Sequence, residues 1–222
     1  MIALIPDLPS DRAARILCLG AHADDIEIGC GGTMLALTEQ LHNVAVDWVV
    51  FSATPERERE ARASADAFLA AAKEKTVVVH AFRDGFFPYV GSQIKEEFER
   101  LKGVCEPDLI LTHYRTDLHQ DHRLISELTW NTFRKHLILE YEIPKYDGDL
   151  GAPSVFVPLE EATCQRKIDY VLEHFPSQGD RSWFSREVFT AILRLRGLEA
   201  SSPTTLAEGF YCRKAMLGME AR

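Results

Sequence analysis

The chain has 222 residues, of which 46% are hydrophobic and 27% charged, a size and composition that suit one folded domain with a substantial core. Its formal net charge is -9 at pH 7, so the chain repels phosphate backbones and we expect no nucleic-acid partner. Its apolar runs all stay short of the ~18 residues needed to cross a bilayer, so we expect no membrane span.

Cysteine use and the N-terminal segment predict a location in the cytoplasm. The five cysteines are odd in number, widely spaced and free of any C-x-x-C pair, which argues against a disulfide framework. They are expected to be buried small side chains in a reducing compartment. The segment Met1–Asp7 lacks the basic region and the long apolar core of a secretory signal.

Strand and helix patterns alternate along the chain after an irregular lead-in. The predicted strands are short apolar runs at Arg15–Leu19, Val44–Ser52, Thr76–Phe82, Leu109–Thr112, Leu137–Tyr141, Val155–Val157 and Phe210–Met216. The predicted helices carry apolar residues at helical spacing and lie at Thr33–Gln40, Pro55–Ala72, Gln93–Val104, His122–Phe133, Glu160–His174 and Ser185–Leu195.

This alternation predicts an α/β fold, a Rossmann-like three-layer sandwich with a mostly parallel sheet and helices on both faces. We expect one domain over residues 1–222. Its core occupies residues 1–135, and residues 136–222 form a C-terminal extension of the same domain, since the one soft boundary lies near Lys145–Gly151.

A polar cluster follows the first predicted strand. The apolar run from Leu17 ends in small residues, and His22, Asp24 and Asp25 then stand in a predicted loop, Gly20–Gly32. Packing alone does not explain these residues, because a buried charge without a partner or a metal costs several kcal/mol. The cluster therefore predicts half of a metal site.

A second polar cluster follows the fourth predicted strand. His119, Asp121 and His122 lie within Asp117–Arg123 and repeat the combination of imidazole and carboxylate. Ligands of open α/β sheets bind outside the carboxyl ends of the strands. We therefore expect both clusters to line one crevice.

The donor types in these clusters suit a catalytic metal. A catalytic zinc takes about three nitrogen or oxygen ligands and keeps one position open. His22 and Asp25 are three residues apart and can both point inward, and His122 could supply the third ligand. Two imidazoles and one carboxylate favour Zn²⁺, or Fe²⁺, over magnesium or calcium.

The remaining residues of the clusters suggest catalytic roles. Asp24 projects beside the ligands and is a natural general base. His119 could polarise a substrate carbonyl or protonate a leaving amine. A carboxylate such as Asp121 that is hydrogen-bonded to an imidazole would set its tautomer and orientation.

The two motifs together resemble a known family. Residues 21–32 have the pattern Ala-His-x-Asp-Asp-x-Glu-x-Gly-x-Gly-Gly, and residues 119–122 have His-x-Asp-His. Both resemble the PIG-L / LmbE-like zinc de-N-acetylases, over about the first 135 residues, and residues 175–178 and 205–210 are similar to tail motifs of that family.

The resemblance implies a zinc-dependent hydrolase that removes an acetyl group from a GlcNAc-type amino sugar, free or conjugated. It implies that zinc is held by His22, Asp25 and His122. It further implies that Asp24 is the general base and that His119, oriented by Asp121, stabilises the oxyanion or acts as the acid.

The resemblance also implies a substrate contact. An Arg-x-x-Glu pattern in the family opens its second helix, and Arg57 with Glu60 fits it, although the same segment suits a solvated helix face. Four family positions differ here. They are the proline after the first His (here Ala23), a second proline (here Gln120), a Gly-Glu motif (here within Ser52–Pro55) and a tyrosine (here Asp117). The substrate, rather than the chemistry, is what these departures put in question.

Other functions stay open at this point. The amide could belong to a non-sugar small molecule, or the chain could be a non-catalytic zinc-binding domain. A Rossmann-type nucleotide module is a third reading of Gly29–Gly32, whose spacing is G-x-G-G rather than G-x-G-x-x-G. In the main hypothesis the partner is a small N-acetylated molecule, and a homo-oligomer is possible.

Two further groups of residues have more than one interpretation. The aromatic residues after the third strand and near the C-terminal helix either line a pocket or belong to a core or lid; they are Phe86, Phe87, Tyr89, Trp183 and Phe184. The histidines outside the clusters are interpreted as solvated or hydrogen-bonded side chains; they are His42, His80, His113, His136 and His174.

Overall fold

The computed structural model describes residues 6, 8–9, 11–41 and 43–216. His42 and, apart from Pro6, the segment Met1–Asp7 lie outside this part of the chain. The described strands are β1 Ala14–His22, β2 Val44–Ser52, β3 Glu74–Val79, β4 Leu109–His113, β5 Leu137–Tyr141, β6 Val155–Pro158 and β7 Ala207–Tyr211. The described α-helices are α1 Asp25–Gln40, α2 Pro55–Phe68, α3 Gly91–Val104, α4 Gln120–Thr132, α5 Glu161–His174 and α6 Arg186–Glu199.

One sheet contains these strands in the order β3-β2-β1-β4-β5-β7-β6. The five strands from β3 to β5 pair in parallel, whereas β7 runs antiparallel to β5 and to β6. The predicted α/β class with a mostly parallel sheet is therefore confirmed. Strands from beyond residue 136 extend the same sheet. The single domain over residues 1–222 stays a prediction.

Apolar residues cover both faces of the sheet. Along β1, Ile16 and Cys18 face the core shared with α1, α2, α5 and α6, whereas Leu17 and Leu19 face the core shared with α3 and α4. Successive side chains of a strand point to opposite faces, so a continuous apolar run fills both cores. The result is three layers with the sheet in the middle.

The strand order places the ends of β1 and β4 side by side. The chain runs outward from β1 to β2 and β3 on one side, and β4 pairs with the other side of β1. A crevice opens where the strand order reverses in this way, outside the carboxyl ends of the strands. The first predicted cluster follows β1 and the second follows β4, so both lie at this crevice.

The region predicted as a loop at Gly20–Gly32 is ordered differently. β1 continues to His22, and α1 already begins at Asp25. Glycines disfavour helix by about 1 kcal/mol each, which suggested a loop, but close packing overrides that preference. A side chain at Gly29 would strike the ring of Tyr141. The last strand was also misplaced, since it lies at Ala207–Tyr211 rather than Phe210–Met216.

Helix α1 is interrupted in its middle, and a buried carboxylate accepts hydrogen bonds from the backbone N–H groups that the break leaves without partners. Cys30 leaves the helical conformation with φ -144° and ψ 15°. The Glu208 side chain from β7 accepts hydrogen bonds from the backbone N–H groups of Gly32 (2.9 Å) and Thr33 (2.7 Å). These are orphan donors at the start of the second half of the helix, so the carboxylate caps it.

Lys167 of α5 completes this repair. Its ammonium donates to the Ile28 carbonyl at 2.7 Å and to the Glu208 carboxylate at 2.6 Å. Both charged side chains are buried, so neither is compensated by water. The pair therefore satisfies the backbone groups on both sides of the break and joins α1 to α5 and β7.

All five cysteines are free thiols, and four of them are buried. Among the helices of residues 11–41 and 43–216, none is long and apolar enough to pass through a bilayer.

Replacing Lys167 by Met should lower the free energy of unfolding by about 3–5 kcal/mol, because the buried Glu208 carboxylate loses its counter-charge. The control is Arg186→Met, since Arg186 pairs with Asp169 and both side chains are only about half buried (42% and 48% exposed). The loss of unfolding free energy in Arg186→Met should stay below about 1 kcal/mol. Urea unfolding followed by circular dichroism measures both, and equal losses would contradict the role of the buried pair.

Candidate active site

The two predicted clusters meet at the crevice between β1 and β4. His22 is the last residue of β1, Asp25 is the first residue of α1, and His122 lies in the first turn of α4. His22 Nδ1 lies 3.2 Å from His122 Nε2 and 3.3 Å from Asp25 Oδ2, and His122 Nε2 lies 3.5 Å from Asp25 Oδ1. The structure therefore brings the three predicted ligands together.

Each of the two imidazoles has an inner nitrogen that faces the other ring (His22 Nδ1 and His122 Nε2) and an outer nitrogen that faces a carboxylate. The hydrogen bonds of the outer nitrogens indicate the protonation of the inner ones. His22 Nε2 lies 3.2 Å from the Asp121 carboxylate, and His122 Nδ1 lies 3.0 Å from the Asp117 carboxylate. A carboxylate can only accept hydrogen bonds, so these outer nitrogens carry protons. In the neutral imidazoles, the form that binds a metal, the inner nitrogens then face each other and Asp25 as lone pairs. Such a set repels itself unless a cation binds, and its donors fit a metal of the zinc type.

His113 also lies close to these donors but does not suit a ligand. Its Nε2 lies 3.3 Å from the Asp25 carboxylate and accepts the backbone N–H of Ala21 at 2.9 Å. The lone pair that a metal needs is therefore used. His113 is hydrogen-bonded, one of the two states expected of it, and it ends β4 fully buried with its ring stacked on His122 at 4.0 Å.

Charges around the crevice also suit a cation. Although burial lowers the pKa of His22, the neighbouring carboxylates of Asp121, Asp25 and Asp84 raise it well above its usual value. Burial raises the pKa of Asp25, yet the imidazoles of His122 and His113 hold it well below the usual range. A group that is this rich in carboxylates favours a bound positive charge.

Asp24 occupies a strained position beside the three donors. Its φ is 110°, a left-handed conformation that non-glycine residues rarely adopt and that is concentrated at functional sites. Burial raises the pKa of Asp24 to about 7, and the positive charge of Arg57 opposes that rise. A carboxylate with a pKa near neutrality can both take and return a proton.

Arg57 was predicted to contact the substrate, but its guanidinium contacts groups of the protein. Its guanidinium lies 3.0 Å from the Asp24 carboxylate and also donates to the Ala23 carbonyl. The structure thus gives Arg57 an intramolecular partner. Glu60, the other residue of the pattern, accepts hydrogen bonds from the backbone N–H (3.0 Å) and hydroxyl (2.6 Å) of Ser177.

Asp121 does not hold His119 through its carboxylate as predicted. The carboxylate accepts the backbone N–H groups of Gly85 (2.7 Å) and Phe87 (3.1 Å) and faces His22. His119 Nδ1 instead accepts the backbone N–H of Asp121 at 3.3 Å, because His119 caps α4. In the neutral ring Nε2 then carries the proton and can donate to a substrate.

Asp117 and Lys145 are functional candidates that sequence reasoning missed. The Asp117 carboxylate contacts His122, and the Lys145 ammonium donates to it at 2.9 Å. Burial raises the pKa of Asp117, but its hydrogen bond to His122 and the positive charges of His122 and Lys145 hold that pKa far below the usual range. Asp117 was considered only as a departure from a family tyrosine, and no local pattern points to Lys145.

Asp84 is a further candidate at the crevice. Its Oδ1 lies 3.0 Å from His22 Nε2, and its side chain is 73% exposed. The pKa of Asp84 falls to about 2, chiefly because of its hydrogen bond to His22. The sequence contained a signal for Asp84, because this acid follows the third strand at the same edge of the sheet as the other clusters.

Replacing Asp117 by Asn should weaken metal binding by about 10- to 100-fold, because His122 loses the carboxylate that orients it. The control is Asp149→Asn, because Asp149 also pairs with Lys145. Competition with a chromophoric chelator measures both affinities. An equal loss in the two variants would indicate a general effect of Lys145 rather than orientation of His122.

Solved structures similar to this chain share its fold. The conserved protein TT1542 from Thermus thermophilus is 20% identical with a TM-score of 0.70, over 92% of this chain and 96% of that one. N,N′-diacetylchitobiose deacetylase from Pyrococcus horikoshii is 19% identical with a TM-score of 0.67, over 94% and 86%. GalB, the 4-carboxy-2-hydroxymuconate hydratase from Pseudomonas putida KT2440, is 16% identical with a TM-score of 0.69, over 94% and 100%.

A family model provides the stronger comparison. Residues 17–133 match the model described as PIG-L, GlcNAc-PI de-N-acetylase. This match spans more than half of the chain and includes every residue of the two clusters. The chain therefore belongs to the PIG-L / LmbE-like de-N-acetylase family.

Proposed function

We propose that this chain is a metal-dependent N-deacetylase that hydrolyses the acetamide of an N-acetylated amino sugar or its conjugate. One observation carries the proposal. The inner ring nitrogens of His22 and His122 and the carboxylate of Asp25 converge beside Asp24, whose pKa is raised to about 7 by burial. A metal-binding protein without catalysis needs no such base.

Zinc is the metal that the donor set favours, with Fe²⁺ as the second choice, because imidazole nitrogens suit these ions better than magnesium or calcium. The ion would be held by His22, Asp25 and His122. When bound, it would supply a Lewis acid for the acetyl carbonyl and lower the pKa of water.

The protein's own groups account for the proton transfers. Asp24 takes the proton from the attacking water, and Arg57 holds the carboxylate in place at 3.0 Å. The Nε2–H of His119 donates to the oxygen of the tetrahedral intermediate, a contribution of about 3–4 kcal/mol for one well-placed donor. The same proton, or the one on Asp24, then passes to the departing amine.

The sugar part of the proposal rests on family membership and on Asp84. This exposed carboxylate lies at the mouth of the crevice and can accept hydrogen bonds from sugar hydroxyls. A substrate contact of Arg57 stays a prediction, as do the cytoplasmic location and a homo-oligomer. Light scattering would measure the oligomeric state.

Replacing Asp24 by Asn should reduce hydrolysis by about 100- to 10,000-fold, because general base catalysis contributes that much. Metal binding should persist, since Asp24 is not among the three converging donors. Acetate release from N-acetylglucosamine and metal content after dialysis measure the two effects. The control is Asp66→Asn, an exposed residue of α2 that pairs with Lys75. Near-normal turnover of the Asp24 variant would refute its role as the base.

Removing the metal with a chelator should abolish acetate release, and adding zinc should restore it. Removing the metal should also lower the midpoint of thermal unfolding, because a ligand that binds only the folded state stabilises that state. A panel of N-acetylated amino sugars and simple N-acyl amines separates a sugar deacetylase from a general de-N-acylase. Equimolar zinc without acetate from any amide would favour a non-catalytic metal-binding domain.

A further inference from the structure

A groove between α3 and α4 lies outside the candidate active site. One wall is a face of α3 that carries Lys95, Glu99 and Lys102 at helical spacing, and the other wall is the C-terminal half of α4. The connection from α4 to β5 contributes Arg134 and Lys135. The groove has a volume of about 660 Å³, which is within the range of small-molecule sites. We call it the basic groove.

The lining of the basic groove is positively charged, although the chain as a whole is acidic. Four cationic side chains line it, and Glu99 is the one carboxylate among the lining residues that the structure describes. Four cations against one carboxylate leave a formal charge of +3, in a chain whose net charge is -9. A concave site lined by one sign of charge raises the local concentration of the opposite sign, so this groove attracts anions.

Much of this positive charge has no partner within the protein. Glu99 pairs with Lys95 and lies 3.9 Å from Lys102. Within residues 11–41 and 43–216, by contrast, no carboxylate lies within 4.0 Å of Arg134 or Lys135. The Nε–H of Arg134 donates to the Asn131 carbonyl at 3.1 Å, which leaves the two terminal amino groups of the guanidinium for a ligand.

Stabilisation of helix ends explains only part of this arrangement. Cations near a helix C-terminus interact favourably with its last carbonyls, and Lys102 in the last turn of α3 and Arg134 after α4 fit that role. Lys95 does not, because it lies in the first half of α3, and its ammonium donates to the Thr132 hydroxyl of the other wall at 3.0 Å. Cations therefore come from one wall and from the α4–β5 connection, which helix capping alone does not require.

The cationic side chains determine which class of anion suits the groove. A phosphate group carries about two negative charges and several acceptor oxygens, and a guanidinium can bind two of these oxygens at once. Lysine ammonium groups bind phosphate as point charges. A single carboxylate would offset only one of the two unpaired cations, Arg134 and Lys135. Four cations on so acidic a chain are too few for a nucleic acid, whose repeated phosphates would also meet the negative charge of the surrounding surface.

We propose that the basic groove binds a small molecule that carries phosphate groups. This site is separate from the candidate metal site, because His122 lies in the first turn of α4 and the groove lies at the other end of that helix. With 13 residues, α4 is about 20 Å long. The inference therefore does not depend on the proposed deacetylase function.

The test titrates the zinc-loaded protein with fructose 1,6-bisphosphate, fructose 6-phosphate and fructose in a calorimeter. Affinity should fall by about 10-fold or more with each phosphate that is lost, because each loss removes charge-assisted hydrogen bonds. In the double variant Arg134→Gln, Lys135→Gln, affinity for the bisphosphate should also fall by about 10-fold or more. Lys102→Gln tests the α3 wall independently and should weaken binding in the same direction.

A matched control separates the groove from the net charge of the chain. The variant Lys73→Gln, Arg194→Gln removes one lysine and one arginine from exposed positions that do not line the groove. Its affinity for the bisphosphate should stay within about 3-fold of the unmodified protein, because charges beyond a Debye length of about 10 Å are largely screened. Circular dichroism checks that each variant is folded.

Several results would overturn the inference. One is equal affinity for fructose and its bisphosphate, and another is an equal loss in the groove and control variants. Bisphosphate binding that persists unchanged in the groove variant would assign the ligand to the candidate metal site, where zinc also attracts phosphate. A groove variant that changes the oligomeric state in light scattering, but not the phosphate affinity, would assign the groove to contacts between copies of the chain.

The binding measurement keeps this inference separate from the proposed function. Absence of acetate release from every amide would contradict the deacetylase proposal alone, since calorimetry of phosphate binding needs no turnover. Conversely, the double groove variant should release acetate at the rate of the unmodified protein when no phosphate compound is present, because its two changed residues lie at the opposite end of α4 from His122.

Discussion

The site depends on two carboxylates that hold the outer nitrogens of two imidazoles. Asp121 faces His22 Nε2 and Asp117 faces His122 Nδ1, so the inner nitrogens are left as lone pairs that converge with Asp25. Both carboxylates come from the segment after β4, whereas His22 ends β1. The arrangement therefore requires β1 and β4 to be neighbours, which the strand order provides at its reversal point.

The opposite wall of the site depends on a buried acid–base pair far along the sequence. Gly29 allows α1 to pack against the ring of Tyr141, but the helix breaks at Cys30. Glu208 and Lys167 satisfy the backbone groups on both sides of that break. This gives a physical reason why a motif near residue 208 accompanies a candidate metal site near residue 25: it stabilises the helix that begins at Asp25.

The strand ends and the loops at the crevice differ in how freely they can vary. The candidate metal ligands and the candidate base lie at the ends of strands and are mostly buried. The loops that follow β3, β4 and β5 can change sequence without disturbing the sheet. Proteins with this fold include a deacetylase and a hydratase, so the fold alone does not determine the reaction.

The sequence by itself determined the α/β class, the bounds of β2 and β5, and the three residues whose donors converge, because these follow from local periodicity and from polar residues at strand ends. It did not determine the partners of those residues. Asp121 faces His22 rather than the ring of His119, Arg57 pairs with Asp24, and His113 is buried. These pairings join side chains up to about a hundred residues apart, and only the tertiary structure decides which of them meet. Their mutual distances depend on strand order and helix packing, which local patterns do not contain.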